Sequence, residues 1–207
     1  MKKLILVSVF LLALVATSAA QQQMKPVIYA GGGLGMPIGP TAFKDGWKMG
    51  FGFGGGVGLQ FNPQIEASGK FYYNTFGFDW DKLIGGASGV SGDGADFQAI
   101  EFGVDLKYMF AAGGQTALLK PYVVLGGGFV NVKFTDATIT GGTTTYMIPF
   151  SGISETKINF SGGAGLDYMM SPQMGIWVEG RFLLIATEGE SISFLPIRAG
   201  IKFLLGQ

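Results

Sequence analysis

The sequence has no cysteine and no histidine among its 207 residues. Without cysteine there is no disulfide, no thiolate metal site and no lipid-modified N-terminal thiol. Without histidine the commonest transition-metal ligand and the usual general base are missing. Charge is scarce and balanced, 14 Lys+Arg against 14 Asp+Glu, so nothing attracts nucleic acid. Past residue 20 no stretch has the length and periodicity of a convincing helix. These gaps point away from an enzyme and leave no catalytic, cofactor or metal residues to name.

Glycine is abundant, 36 of 207 residues, against a usual share of about 7%. At the N-terminus, Lys2 and Lys3 precede an apolar run from Leu4 to Val15, followed by the small residues Ala16-Thr17-Ser18-Ala19-Ala20. That order predicts a secretory signal peptide over 1–20, cleaved near Ala20, and one all-β domain over 21–207. A retained membrane helix needs about 20 apolar residues, and this run is shorter. Loss of Lys2 and Lys3 leaves 12 positive against 14 negative side chains, a net charge of −2.

The stretch Phe97 to Phe110 shows the design of the rest. Ile100, Phe102, Val104, Leu106, Tyr108 and Phe110 alternate with Ala99, Glu101, Gly103, Asp105, Lys107 and Met109. Successive side chains of a strand point to opposite faces, so one face is apolar and the other small or charged. Seven further segments have comparable length. They are Val27 to Met36, Met49 to Phe61, Ile65 to Phe78, Lys120 to Phe134, Thr156 to Met170, Met174 to Ile185, and a last strand after the loop Ala186 to Ser193. In the fifth of the eight, Tyr122, Val124, Val130, Val132 and Phe134 read as the apolar face, opposite Asn131 and Lys133. Tight turns at Asn62-Pro63-Gln64, Ala111 to Thr116 and Ser171-Pro172-Gln173 alternate with four longer loops.

Eight long antiparallel strands in hairpins can close into an up-and-down barrel, which removes exposed edges. A secreted soluble calycin-like ligand-binding barrel would turn the apolar face inward; a transmembrane barrel would turn it to lipid. Strand length favours the membrane, since about 9–11 residues suffice to cross at a tilt. So do the small residues on the polar face, the short–long rhythm of the connections and aromatics near strand ends. Tyr29, Phe61, Phe78, Trp80, Phe110, Phe134, Phe150 and Tyr168 suit interfacial girdles. The expected fold is a closed eight-stranded transmembrane β-barrel.

The final strand carries Arg198-Ala199-Gly200-Ile201-Lys202-Phe203-Leu204-Leu205. With it, the chain resembles, nearly end to end, the eight-stranded outer-membrane β-barrel family of Gram-negative-type bacteria that includes OmpX, OmpW and the OmpA transmembrane domain. The resemblance implies that Arg198, Gly200, Phe203 and Leu205 form a signal read by the barrel-assembly machinery: a polar residue, Gly two places on, then two alternate hydrophobes. The chain departs from the pattern by ending Leu205-Gly206-Gln207 where an aromatic is usual. An OmpA-style peptidoglycan-binding module is not expected. The lipid A-modifying enzymes of this barrel size rely on histidine, which this chain lacks.

Twelve charges are expected inside the barrel: Glu66, Lys70, Glu101, Asp105, Lys107, Lys133, Lys157, Asp167, Glu179, Arg181, Arg198 and Lys202. A lumen of eight strands is filled by its own side chains, so these should pair as an ion network that plugs it. The glycine-rich inward face of the second strand and Gly31, Gly33 and Gly35 of the first leave space that Tyr72, Phe129 or Trp177 must fill, unless a cavity remains. Gly50, Gly52 and Gly55 spell GxGxxG, but no helix follows, so the dinucleotide reading fails. The outer loops carry Lys44, Lys48 and Lys82 against Asp45, Asp79, Asp81, Asp93, Asp96, Asp136, Glu155, Glu188 and Glu190, three minus nine, or −6.

The expected function is therefore an outer-membrane protein with a structural or surface-interaction role. It would be a monomer in contact with membrane lipid and lipopolysaccharide, with acidic external loops open to an unknown surface partner. The alternative is a small, porin-like passage for a minor solute or hydrophobic molecule.

Overall fold

A computed structural model describes residues 24–85, 89–110, 118–150, 152 and 154–205. The expected signal segment 1–20 and tight turn 111–116 lie outside the described residues. Among the described residues eleven strands occur in chain order. They are β1 (Lys25–Gly39), β2 (Gly50–Gln60), β3 (Ile65–Phe76), β4 (Val90–Gly94), β5 (Phe97–Met109) and β6 (Leu119–Phe134), then β7 (Ala137–Gly141), β8 (Thr144–Ile148), β9 (Ser154–Met169), β10 (Met174–Ala186) and β11 (Ile192–Leu204). Two short helices, α1 (Thr41–Gly46) and α2 (Trp80–Ile84), lie in the first two long loops.

Eight of the strands close into a barrel in the order β1-β11-β10-β9-β6-β5-β3-β2, every pair antiparallel. The closing seam sets Ile28 opposite Phe203 and Gly31 opposite Gly200. The barrel strands run from 11 to 16 residues, beyond the roughly 9–11 that cross a bilayer at a tilt.

The alternation decides which way each side chain points. On β5, Phe102, Val104 and Leu106 are exposed on the outside, Val104 at 68%, while Glu101 and Asp105 are buried within. The same division holds around the wall, with Leu34, Phe51, Phe53, Val57, Leu125, Phe160, Val178, Ile197 and Ile201 all outward and exposed. A soluble calycin-like barrel requires the reverse, so that alternative is set aside.

Two tight turns use the same local chemistry. Asn62 Oδ1 accepts from the backbone N–H of Gln64 and of Ile65, both at 2.8 Å. Ser171 Oγ accepts from Gln173 at 3.3 Å and from Met174 at 3.0 Å. In each case a short side chain replaces a backbone partner while the following proline fixes the bend.

The β6 faces differ from expectation. Tyr122, Val124, Val130 and Val132 are buried inside the barrel, whereas Leu125 and Phe129 are exposed outside, Phe129 at 61%. Lys133 shares the outward parity of Leu125 and Phe129. The cause is that β6 is apolar on both faces, so its few polar residues misled. Asn131 and Lys133 sit at the loop end of the strand, opposite Ile100 and Gln98, where an outward polar group is at the edge of the apolar band.

Beyond the barrel, β4, β7 and β8 form a separate three-stranded sheet in the order β4-β7-β8, built from the second and third long loops. Its hairpin turns at Gly142-Thr143, with Gly142 at a φ of 60° that favours glycine.

Candidate functional site

Ten of the twelve expected charges meet in the lumen, and they form three groups along its axis. Nearest the tight turns, Lys202 Nζ lies 2.6 Å from both Glu66 and Asp167, with Lys107 Nζ 3.9 and 3.7 Å from the same two carboxylates. In the middle, Asp105 binds Lys70 at 3.0 Å and Arg181 at 2.7 Å, and Arg181 also pairs with Glu179. Tyr122 Oη donates to Glu179 at 3.1 Å, and Lys70 donates to Ser161 at 3.1 Å. Toward the long loops, Arg198 lies 3.3 Å from Glu101, and Asn74 joins them by accepting from Arg198 at 2.8 Å and donating to Glu101 at 2.7 Å.

Each group is neutral: two carboxylates with two cations, two with two, and one with one. The remaining expected members lie elsewhere. Lys133 points outward, as described above. Lys157 has inward parity but stands at the loop rim, 2.8 Å from the exposed Glu155. Removing both from seven bases against five acids leaves five against five. This balance has a physical reason, because an unpaired buried charge costs several kcal/mol.

Aromatic side chains fill the space that the glycines leave. A Cβ added at Gly31 would stand 2.6 Å from Trp177 Cζ2, one at Gly54 2.6 Å from the Tyr72 ring, and one at Gly35 2.9 Å from Phe76. Tyr29 leans over Gly56 and shares a hydrogen bond with Ser68 at 3.2 Å. Tyr29 is thus a lumen residue and not part of a girdle, and Phe129, on the outer surface, fills nothing. The Tyr72 ring also stacks under the Arg198 guanidinium at 3.8 Å, and Tyr122 under the Lys107 ammonium at 3.9 Å. Among these groups remains a cavity of about 10 Å³ lined by Tyr29, Tyr72 and Trp177 with the central ions, room for about one water.

Both ends of this polar column are apolar. At the loop end Phe76, Phe97, Val130, Val132, Leu183, Ile185 and Phe194 pack together. Phe43 of α1 drops into their midst, its ring 5.4 Å from Phe76 and 4.9 Å from Phe97. At the turn end Val27, Met169 and Leu204 form a second cluster, and Met109, Tyr122 and Val124 a third. The Phe43 cap has no counterpart in the sequence reading, since nothing local in Thr41–Gly46 marks one phenylalanine as an insertion.

The last strand places Arg198 in the ion network and Gly200 against the Ala30 carbonyl, while Phe203 faces outward and Leu205 donates its backbone N–H to Pro26 at 2.8 Å. Among the described residues no cluster of acidic side chains is arranged to hold a metal ion.

Residues 7–203 match the family profile described as outer membrane protein beta-barrel domain. No curated protein matches the chain by sequence. Among solved structures it is similar to a major outer membrane protein from Thermus thermophilus, with a TM-score of 0.53 and 12% identity over 89% of this chain and 100% of that one. It is also similar to Neisserial surface protein A, at 0.48 and 16% over 87% and 95%. Ail, the attachment invasion locus protein of Yersinia pestis, gives 0.43 and 16% over 87% and 97%. At these identities the likeness is one of fold.

Proposed function

We propose a function from the premise that the chain belongs to the outer membrane protein beta-barrel domain family: it is a non-conducting outer-membrane barrel that holds a folded loop body at the cell surface. What supports this reading is that ten paired charges and the rings of Tyr29, Tyr72, Phe76 and Trp177 stand in the lumen, with a cavity of about 10 Å³ among them. A water path would have to break ion pairs buried in a narrow cylinder, each of which is costly to separate. The porin-like alternative needs an opening beside the glycine wall, and Tyr29, Tyr72, Phe76 and Trp177 occupy that side.

In this proposal residues 1–20 direct export and are removed near Ala20, leaving 21–207 as the barrel. Arg198, Gly200, Phe203 and Leu205 address the chain to the assembly machinery. The outward band from Leu34 to Ile201 meets lipid and lipopolysaccharide, and the barrel works as a monomer. The long loops meet the surface partner, and no step is catalytic.

Planar-bilayer recording of the purified full-length barrel is the test. The expected record is silent; stable, reproducible single-channel steps would overturn the plugged lumen.

A further inference from the structure

Above the barrel, outside the lumen, the loops line a second, half-open space of about 360 Å³ whose wall is wholly apolar. Sites for drug-sized molecules typically measure about 300–1,000 Å³, and an apolar cavity of about 150 Å³ already takes benzene. The wall comes from three separate parts of the chain: Trp47 after α1, Phe78 and Trp80 in the second loop, and Phe134 and Phe150 bracketing the third.

The polar atoms of this wall are already engaged. The Trp47 indole N–H donates to the Ala95 carbonyl at 3.1 Å, and the Trp80 indole N–H donates to the Gly94 carbonyl at 3.0 Å. These are consecutive carbonyls in a turn where Ala95 holds a φ of 59°, a conformation uncommon for a residue with a side chain. The two indoles clamp that turn and so fix the shape of the space. Neither N–H is left to meet a ligand. Charges interleaved with the wall are likewise spent on one another, Lys48 on Asp81 at 2.9 Å and Asp79 at 3.5 Å, and Lys82 on Asp79 at 3.3 Å.

We propose that this space is a binding site for an uncharged, hydrocarbon-rich small molecule, such as one with two fused rings, taken up from outside the cell. The chemistry follows from the wall, which offers contact area and ring faces but no hydrogen bond or net charge. The source follows from position. Phe78, Trp80 and Phe150 lie beyond the barrel strands and Phe134 closes β6, so the space opens above the bilayer band and not into it. It is also a dead end. Trp47 forms part of its wall and packs at 5.6 Å on Phe43, the residue that caps the lumen. The proposal extends the surface role and does not rest on the lumen being closed.

Tryptophan fluorescence of the full-length barrel in phosphatidylcholine vesicles provides the test, with 1-bromonaphthalene as a heavy-atom quencher. Of the three tryptophans, Trp47 and Trp80 line the site and Trp177 lies in the lumen. The expected result is saturable quenching that stops at a plateau carried by Trp177. Leu83→Glu and Ile148→Glu each put a carboxylate into the wall at a position already partly exposed, so the barrel keeps its strand signal by circular dichroism. In both variants the half-saturation point should rise by about tenfold or more, the equivalent of at least 1.4 kcal/mol. Quenching that stays linear with concentration, or is unchanged in the two variants, overturns the site. A parallel sample carries bromine on the lipid acyl chains. Quenching of Trp47 and Trp80 there, without any by 1-bromonaphthalene, would mean that bilayer lipid fills the space and would overturn the proposed source.

Discussion

Arg198 and Glu101 meet across the full width of the barrel. Their side chains approach to 3.3 Å, yet β11 and β5 are four strands apart whichever way the wall is followed. Hydrogen bonds around the wall join neighbours only, so this pair braces opposite sides in a direction the sheet does not.

Breaking that brace at one end should be worse than removing it. Arg198→Leu leaves Glu101 buried without its cation, and Glu101→Gln leaves Arg198 unpaired; each should destabilise by about 3–5 kcal/mol. The double variant should lose clearly less than the sum of the two. Urea unfolding from lipid vesicles, arranged as a double-mutant cycle, measures the difference; strict additivity would mean that the two groups do not act together.

Orientation has its own test. Val104 is exposed on the outer face between Gly69 and Gly127, near mid-strand. Val104→Arg should therefore cost about 2–4 kcal/mol in a bilayer. Lys133→Ala, outward at the loop rim, should stay within about 0.5 kcal/mol. A large loss at Lys133 would return it to the lumen.

The glycine wall predicts which positions accept a methyl group. A Cβ at Gly31 would crowd Trp177 and the Gly200 backbone at 2.9 Å, whereas at Gly69 the nearest atom is 3.9 Å away. Gly31→Ala should destabilise by about 1–3 kcal/mol through overpacking, and Gly69→Ala should not destabilise. The same urea titration reads both.

The loop clip has a defined pH window. Partial desolvation would raise the Asp79 carboxyl, but hydrogen bonds and charge from Lys82 and Lys48 outweigh it and hold the group below its ordinary value. The Lys48 ammonium is raised in turn, first by its hydrogen bond to Asp81. A carboxyl lowered in the folded state adds stability that is present above its unfolded value, about 3.9. That stability is lost as pH falls through the lower folded value. Backbone amide shifts at Lys48, Asp81 and Lys82 should hold steady from pH 8 to 5 and move together only below about pH 4. Movement near pH 6 would exclude Asp79 as the cause.

The barrel was legible in the sequence because lipid imposes period-two alternation on strands that meet it, and most of the eight segments kept that signal. Faces were misread on β6, where both sides are apolar and the one informative pair, Asn131 and Lys133, lies at the rim, and at Tyr29 of β1, which turns into the lumen. The ten lumen charges could be placed inside but not paired, since partners such as Arg198 and Glu101 are brought together by closure and not by spacing. The small outer sheet has a local mark in the sequence, since Thr- and Ile-rich runs flank Gly141-Gly142, a pattern that favours a hairpin. The apolar site above the barrel left none, because Trp47, Phe78 and Phe150 belong to three loops that share no local pattern.

The sheet of β4, β7 and β8 has a practical consequence for anything that reads this surface. Its backbone ladder sews residues 90–94 of one loop to 137–141 of the next, so where β4 lies beside β7, neighbouring side chains come from stretches more than forty positions apart. An antibody that reads the β4–β7 face of the intact barrel should then fail to recognise either loop as a free peptide.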